Sequence, residues 1–136
     1  MGDPGTYVGI DVSKDTLEVA VYPRQRIAHF GNNEAGIAKA VNYVRGLSPT
    51  LVVMEATGGY ELFIAGALSA VGVSVAVVNP RQVRDFAKSK NKLAKTDTID
   101  AQIIADFGEA IHPEARPLTD AQSQKLKDIL TRRSQL

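Results

Sequence analysis

The sequence predicts an α/β fold in which a mixed five-stranded sheet carries helices on both faces. Two observations lead to this prediction. Three apolar, β-rich runs follow one another in hairpin order near the start of the chain, and alternating strands and helices come after them. Strands joined by hairpins pair antiparallel, whereas strands joined through helices pair parallel. The sheet should therefore be antiparallel on one side and parallel on the other.

The hairpin half of the sheet is predicted from residues 7–10, 16–22 and 26–31. The first two runs are joined by a short polar turn, and the third follows a proline-bearing loop. Asn32 or Asn33 should then cap a helix that runs to about residue 45, where Gly46 would end it. This part of the chain supplies three strands and one helix.

The parallel half is predicted from two strand-helix units. Residues 51–55 form a short buried strand that leads into a glycine-rich turn, and residues 60–71 form an apolar helix. Residues 73–78 are almost wholly apolar, which is typical of a parallel strand covered on both faces. Pro80 begins the next helix, where its missing N–H is least costly, and residues 96–111 form a further amphipathic helix.

The composition restricts the classes of function. The chain has 136 residues, of which 44% are hydrophobic and 23% charged, as expected for one globular domain. It has no cysteine, which excludes disulfide scaffolds, thiolate zinc sites and cysteine nucleophiles. No apolar run approaches the roughly 20 residues that span a bilayer. We therefore expect a soluble, cytoplasmic protein that does not associate with a membrane.

The domain organisation is predicted from a change in character near residue 112. Residues 1–112 should form the α/β domain. Residues 113–136 read as a proline-bearing linker and the start of a helical segment, whose widely spaced apolar positions are compatible with a coiled coil. The helical pattern has no glycine or proline to end it at Leu136. We expect this chain to be the N-terminal part of a longer protein.

Four acidic residues occupy positions where ligands are expected. Asp11 and Glu55 end predicted strands, and the carboxyl ends of central strands in an open α/β sheet face the ligand-binding crevice. Asp97 and Asp100 are three residues apart at the start of a predicted helix, so their side chains should share a face. Four converging carboxylates would repel one another unless a cation lay among them. The sequence therefore predicts a metal site.

The ligand atoms indicate which metal. Oxygen-only coordination, without cysteine or clustered histidine, favours Mg²⁺ or Mn²⁺ over zinc. Two such ions about 3.5–4 Å apart can hold the attacking and leaving oxygens of a phosphodiester. A basic run precedes the second acidic pair, and cations at that place could hold the phosphates of a nucleic acid. Its members are Arg81, Arg84, Lys88, Lys90, Lys92 and Lys95.

Each of these features also has an ordinary structural interpretation. Asp11 could be a turn former, and Glu55 could face a solvated loop. Asp97 could be a helix N-cap, with Asp100 a favourable charge in the first turn. The basic run could be the solvated face of a helix. Taken singly, the residues leave these alternatives open.

Four separated motifs resemble one known family. They are GIDVSKDTLEVAVY, MEATGGYE, VVNPRQVRDFAKS and KTDTIDAQIIA, in this order. Together they resemble the N-terminal domain of the Piv-like DEDD insertion-sequence transposases and DNA invertases, over roughly residues 6–112. The resemblance implies a ribonuclease H-like fold similar to that of RuvC. It also implies a metal-binding catalytic tetrad, which falls on Asp11, Glu55, Asp97 and Asp100.

The resemblance further implies a reaction and partners. The reaction is DNA cleavage and strand transfer in transposition or inversion, dependent on Mg²⁺ or Mn²⁺ and using two ions. Some family members are directed by a structured RNA, and the full-length protein is expected to be a homo-oligomer. The resemblance also implies a C-terminal domain with a serine thought to attack DNA, and we expect that domain to lie outside this chain. Thr98 stands where the family often has a basic residue, so one backbone contact would be missing.

Two other classes of protein remain as alternatives. The nucleotide-binding half of an actin-like ATPase or sugar kinase shares the sheet topology and begins with a strand, an aspartate and a tight hairpin. That hairpin normally carries a glycine two residues after the aspartate, whereas this chain has Ser13. The other alternative is a non-catalytic nucleic-acid-binding or oligomerisation module with a degenerate metal site.

Overall fold

The computed structural model describes residues 5–24, 26–90, 99–116, 124, 125 and 128. In chain order the elements are β1 (Tyr7–Val12), β2 (Thr16–Tyr22), β3 (Ala28–Gly31), α1 (Glu34–Leu47), β4 (Leu51–Glu55), α2 (Leu62–Ala70), β5 (Val75–Val78), α3 (Pro80–Ser89) and α4 (Ala101–Ile111). Within the described residues, no helix is both long and apolar enough to cross a membrane.

The five strands form one mixed sheet in the order β3-β2-β1-β4-β5. The pairs β3–β2 and β2–β1 are antiparallel, and the pairs β1–β4 and β4–β5 are parallel. This arrangement confirms the predicted mixed sheet. Because β1 is central, with β2 on one side and β4 on the other, its carboxyl end lies next to the carboxyl end of β4.

The two faces of the sheet are covered by different helices. On one face, alternate strand residues such as Val8, Ile10 and Met54 form an apolar core with α1 and α2. On the other face, a second core joins Val53 and its neighbours to α3 and α4. Strand residues point alternately to the two faces, so each strand contributes to both cores. The sheet is therefore covered by helices on both sides, as predicted.

Helix α4 lies very close to the central strand because Gly9 has no side chain. A Cβ atom added at Gly9 would collide with the carbonyl oxygen of Ala101 and the backbone nitrogen of Ala105. Gly9 and Asp11 are two residues apart on β1, so they face the same side of the sheet. The close contact at Gly9 therefore brings the first turn of α4 to the end of β1 that carries Asp11.

Several element boundaries differ from the predictions. Helix α1 continues through Gly46 to Leu47, and its C-cap Ser48 adopts a left-handed conformation with φ of 49°. A Cβ atom at Gly46 would touch nothing, so the helix does not need to end there. Helix α2 begins at Leu62 instead of residue 60, because residues 58–60 form a turn. The third strand begins at Ala28 and the fifth at Val75, each two residues later than predicted.

Candidate metal centre

Three acidic side chains lie on the α4 face of the sheet, at one end of its central strands. Asp11 follows Tyr7 and Gly9 on that face of β1, and Glu55 follows Leu51 and Val53 on that face of β4. Glu18 of β2 is directly paired with Asp11 in the antiparallel register. The alternation of each strand therefore brings Asp11, Glu18 and Glu55 to one edge, which we call the acidic edge.

Asp100 joins the acidic edge from helix α4. It is the N-cap of that helix, in an extended conformation, and its side chain accepts a hydrogen bond of 2.9 Å from the backbone N–H of Ile103. Glu18 accepts a bond of 3.2 Å from the N–H of Ala101. Two carboxylates thus bind the first turn of α4, where the helix dipole favours negative charge.

The structure places one member of the second acidic pair at the start of α4. The sequence predicted a helix from residue 96, with Asp97 and Asp100 at its start and their side chains on one face. Helix α4 begins at Ala101, because Asp100 takes the capping position. Asp97 lies outside the described residues.

The pKa values of Asp11 and Glu55 indicate that the described residues compensate the charge of the acidic edge only in part. Burial raises the pKa of Asp11 above 3.8, and the neighbouring carboxylates of Glu18 and Asp100 raise it further. Burial also raises the pKa of Glu55 above 4.5, and the charge of Asp11 adds to this shift. The guanidinium of Arg84 opposes the shift at Glu55 without cancelling it. Each carboxylate is therefore harder to ionise than in water.

One oxygen of this group has no partner within the described structure. Glu55 Oε1 is buried and makes no hydrogen bond there. Such an atom is normally paired, since leaving a buried acceptor unpaired costs about 1–3 kcal/mol. A divalent cation bound between Asp11 and Glu55 would satisfy this oxygen and relieve the repulsion, and carboxylate oxygens are the ligands that Mg²⁺ and Mn²⁺ prefer.

The described residues do not by themselves complete a metal site. Among them, no three acidic or histidine side chains lie close enough together to hold a metal ion. The pKa shifts show that Asp11, Glu55 and Asp100 are electrostatic neighbours, which is a weaker condition than shared coordination. The donor set thus fits a hard cation, and it needs further oxygen ligands.

Helix α3 presents a basic face near the acidic edge. Arg81, Arg84 and Lys88 are exposed and follow the spacing of one helical face, while Val83 and Phe86 anchor the opposite side. The ring of Phe86 contacts that of Phe107 in α4 edge to face, with centroids 5.7 Å apart. Lys90 is the exposed C-cap residue of the helix. Lys92 and Lys95 lie outside the described residues.

The sequence interpretation missed two acidic residues that shape the site. Glu18 could have been found by counting back from the turn, since a hairpin that pairs Val12 with Leu17 must pair Asp11 with Glu18. Glu61 is only 5% exposed, and its Oε1 accepts bonds from the N–H and hydroxyl of Thr57 and from the N–H of Gly59. No sequence pattern predicts that Glu61 accepts these hydrogen bonds.

Two curated proteins that are similar to this chain are gene-inverting proteins. The chain is 29% identical to the pilin gene-inverting protein of Moraxella lacunata over 135 residues and 30% identical to that of Moraxella bovis over 140 residues. Each alignment covers 94% of this chain and 42% of the relative. The chain therefore spans about two-fifths of the length of these relatives.

Two similar solved structures are of RuvC from Thermus thermophilus. RuvC of Thermus thermophilus in complex with a Holliday junction substrate superimposes with a TM-score of 0.58, covering 81% of this chain and 98% of that one at 16% identity. A second RuvC structure from Thermus thermophilus gives a TM-score of 0.53 at 15% identity, covering 82% of this chain and 99% of that one. These similarities confirm the RuvC-like, ribonuclease H-like fold.

The family is shown by a match along nearly the whole chain. A family model with the description "Transposase", that of the DEDD transposases of the IS110 type, matches residues 8–136. The match covers β1, which carries Asp11, as well as every later element. This chain belongs to the DEDD transposase family of the IS110 type.

Proposed function

We propose that this chain is the catalytic domain of a DNA transposase or site-specific recombinase, and that it cleaves and transfers DNA strands with the help of divalent metal ions. The observation that carries the proposal is the meeting of Asp11 and Glu55 at one edge of the sheet, with a buried, unpartnered oxygen on Glu55. Family membership supports DNA as the substrate. It also disfavours the alternative of an actin-like ATPase or sugar kinase.

In this proposal, Asp11, Glu55, Asp97 and Asp100 hold the metal. Asp97 would supply a ligand beyond those in the described part of the acidic edge. Two ions, Mg²⁺ or Mn²⁺, would when bound stabilise negative charge on the scissile phosphate. Helix α4 would position Asp100 through its N-terminal turn, and Glu18 would hold that turn through the N–H of Ala101.

The basic residues would hold the DNA backbone beside the metal. Among these basic residues, Arg84 has a charge that acts on the carboxylates, since it lowers the pKa of Glu55. Phosphate contacts of this kind supply affinity without sequence selectivity. The proposed contacts are Arg81, Arg84, Lys88, Lys90, Lys92 and Lys95.

Domain organisation and partners complete the proposal. Residues 1–112 would form the catalytic domain, and residues 113–136 would begin a helical arm that joins subunits into a homo-oligomer. A structured guide RNA could direct the full-length protein to its DNA, which we propose it meets in the cytoplasm. The isolated chain would bind metal and nucleic acid, while complete recombination would need the remainder of the longer protein.

The test is a titration of the purified chain with Mn²⁺ and Mg²⁺, followed by calorimetry and by melting temperature. The wild-type chain should bind saturably and melt at a higher temperature with metal, and Asp11→Asn and Asp97→Asn should lose both effects. Glu34→Gln, which removes an exposed carboxylate from the first turn of α1, is the matched control and should behave as wild type. Equal binding by wild type and Asp11→Asn would contradict the proposed metal site.

The Asp11→Asn variant also tests whether the proposed metal site is needed for the reaction. In the full-length protein, Asp11→Asn should abolish recombination of a plasmid substrate while the protein remains folded. Recombination at the wild-type rate would show that Asp11 is not catalytic.

A further inference from the structure

A pocket of about 380 Å³ lies on the loops that continue from the strands of the acidic edge. One wall comes from the turn after β1, which begins two residues beyond Asp11, and another from the turn after β4, which begins directly after Glu55. We call it the Tyr60 pocket. Its lining residues are Lys14, Asp15, Asn32, Gly58, Gly59, Tyr60, Phe63 and Lys125.

The walls of the Tyr60 pocket are held together by direct hydrogen bonds. The amide Nδ2 of Asn32 donates to the carbonyl oxygens of Ser13, at 2.8 Å, and Tyr60, at 3.3 Å, so one side chain joins both turns. The backbone N–H of Asn32 donates to the carbonyl of Asp15 at 2.8 Å. The pocket is therefore built by the protein itself and does not depend on a ligand for its shape.

Glycine keeps the floor of the pocket open. Gly58 and Gly59 have φ values of +78° and +121°, which side-chain-bearing residues rarely adopt. A Cβ atom at Gly58 would meet nothing within 4 Å, whereas one at Gly59 would lie 3.1 Å from Nζ of Lys125. The backbone of this turn is thus open to a ligand, with a lysine ammonium group beside it.

The chemistry of the lining fits an unpaired nucleotide. Tyr60 is 47% exposed and lines the pocket, so its ring can contact a ligand there. Lys14 and Lys125 bring two positive charges against the one negative charge of Asp15. An exposed aromatic ring beside cations is the arrangement by which proteins hold single-stranded nucleic acid, with the base stacked on the ring and the phosphate near the cations.

We propose that the Tyr60 pocket binds one nucleotide of a single-stranded segment of nucleic acid next to the acidic edge. The base stacks on Tyr60, and Lys14 and Lys125 contact the adjoining phosphate. This inference rests on the proposed function, because it places a strand beside the carboxylates that would act on it. A base within a regular duplex is already stacked on its neighbours, so the pocket selects an unpaired base.

The test compares two fluorescent strands of equal length, an oligothymidylate and an abasic strand that has the same phosphates without bases. Binding is followed by anisotropy in the presence of a chelator, so that it does not depend on a metal site. Tyr60→Ala should weaken binding of the oligothymidylate about tenfold and leave the abasic strand unchanged, because stacking contributes roughly 1–3 kcal/mol per base. Tyr60→Phe keeps the ring and should bind like wild type.

Lysine variants separate the phosphate contact from the base contact. Lys14→Ala should weaken both strands a few-fold and reduce the salt dependence of binding, because it removes one phosphate contact. Lys88→Ala, on the basic face of α3, should also weaken both strands alike. Lys39→Ala removes an exposed lysine of α1 and is the matched control that should change neither.

Two results would overturn the inference. One is that Tyr60→Ala weakens both strands equally or neither of them, and the other is that the wild-type chain binds neither strand. Because every binding measurement is made in the chelator, a failure of the proposed metal site would not imitate a failure of the pocket. Oligothymidylate and oligouridylate arms then show whether the strand is DNA or RNA.

Discussion

Glu55 and Glu61 are two glutamates six residues apart, and their surroundings shift their pKa values in opposite directions. Glu61 is 5% exposed, and its Oε1 accepts three hydrogen bonds from Thr57 and Gly59. Glu55 Oε1 is also buried, yet it has no hydrogen-bond partner within the described structure. Burial alone would raise the pKa of Glu61, but its hydrogen bonds lower it below 4.5, whereas the pKa of Glu55 is raised above 4.5.

This difference distinguishes a structural carboxylate from a candidate functional one. The charge of Glu61 is compensated by donors from its own loop, so it stabilises the turn between β4 and α2. The charge of Glu55 is close to that of Asp11, and among the described residues Arg84 compensates it only in part. A protein retains such an uncompensated group at a cost in stability, which is the expected condition of a ligand-binding site.

The largest expected effect is the loss of Glu61. Glu61→Ala leaves the N–H of Thr57, its hydroxyl and the N–H of Gly59 without their acceptor, so the free energy of unfolding should fall by about 2–3 kcal/mol. Urea denaturation of the purified, metal-free chain measures this change. Glu61→Gln keeps an acceptor oxygen and should cost less than Glu61→Ala.

Glu55→Ala is the comparison variant for that experiment. It removes a carboxylate whose Oε1 has no hydrogen-bond partner among the described residues, so it should destabilise the chain far less than Glu61→Ala. Equal losses for the two alanine variants would remove the distinction between the two glutamates.

A smaller effect of opposite sign is expected at the acidic edge. Asp11→Asn and Glu55→Gln remove charges that repel each other, so each should stabilise the metal-free chain at neutral pH by up to about 1 kcal/mol, since partial exposure screens the repulsion. The folded-state pKa values of Asp11 and Glu55 are raised, so the penalty is fully present above them. It disappears as the pH falls towards the ordinary values of 3.8 and 4.5.

The pH dependence of Glu61 should run the other way. Its folded-state pKa is lowered, so its stabilisation is present above the ordinary value of 4.5 and is lost as the pH falls through the lower, folded-state value. Denaturation of wild type, Glu55→Gln and Glu61→Gln across the acid range measures both signs. At neutral pH, Glu55→Gln should be more stable than wild type and Glu61→Gln less stable, and both differences should shrink as the pH falls. If both differences had the same sign, the assigned directions of the pKa shifts would be wrong.

The smallest effect is expected from Arg84, which connects the basic face to the acidic edge. Arg84→Gln removes the cation that lowers the pKa of Glu55, so that pKa should rise a little further. Carbon-detected NMR titration of the Glu55 carboxyl measures the change, with Lys39→Gln as the matched control. An unchanged pKa of Glu55 would show that Arg84 lies too far from the acidic edge to influence it.

Much of the fold could be predicted because strands and helices leave local patterns. The alternation of Thr16–Tyr22 and the continuous apolar run of β5 each indicate an element without reference to the rest of the chain. The predicted boundaries of helices were less accurate where a hydrogen bond to one side chain determines where the helix begins. Helix α4 begins at Ala101 because Asp100 caps it, and α2 begins at Leu62 after a turn that Glu61 holds.

The sequence alone determined the mixed sheet and the positions of Asp11 and Glu55 at strand ends, because strand order and strand ends follow from hydrophobic patterning and short connections. Only the tertiary structure decided that Glu18 joins Asp11 and that Asp100 reaches it as the N-cap of α4, since Gly9 lets α4 approach the sheet. It also decided that Glu61 has hydrogen-bond partners and Glu55 Oε1 has none in the described structure. The compensation of a buried charge depends on groups brought together by the fold, which no local pattern records.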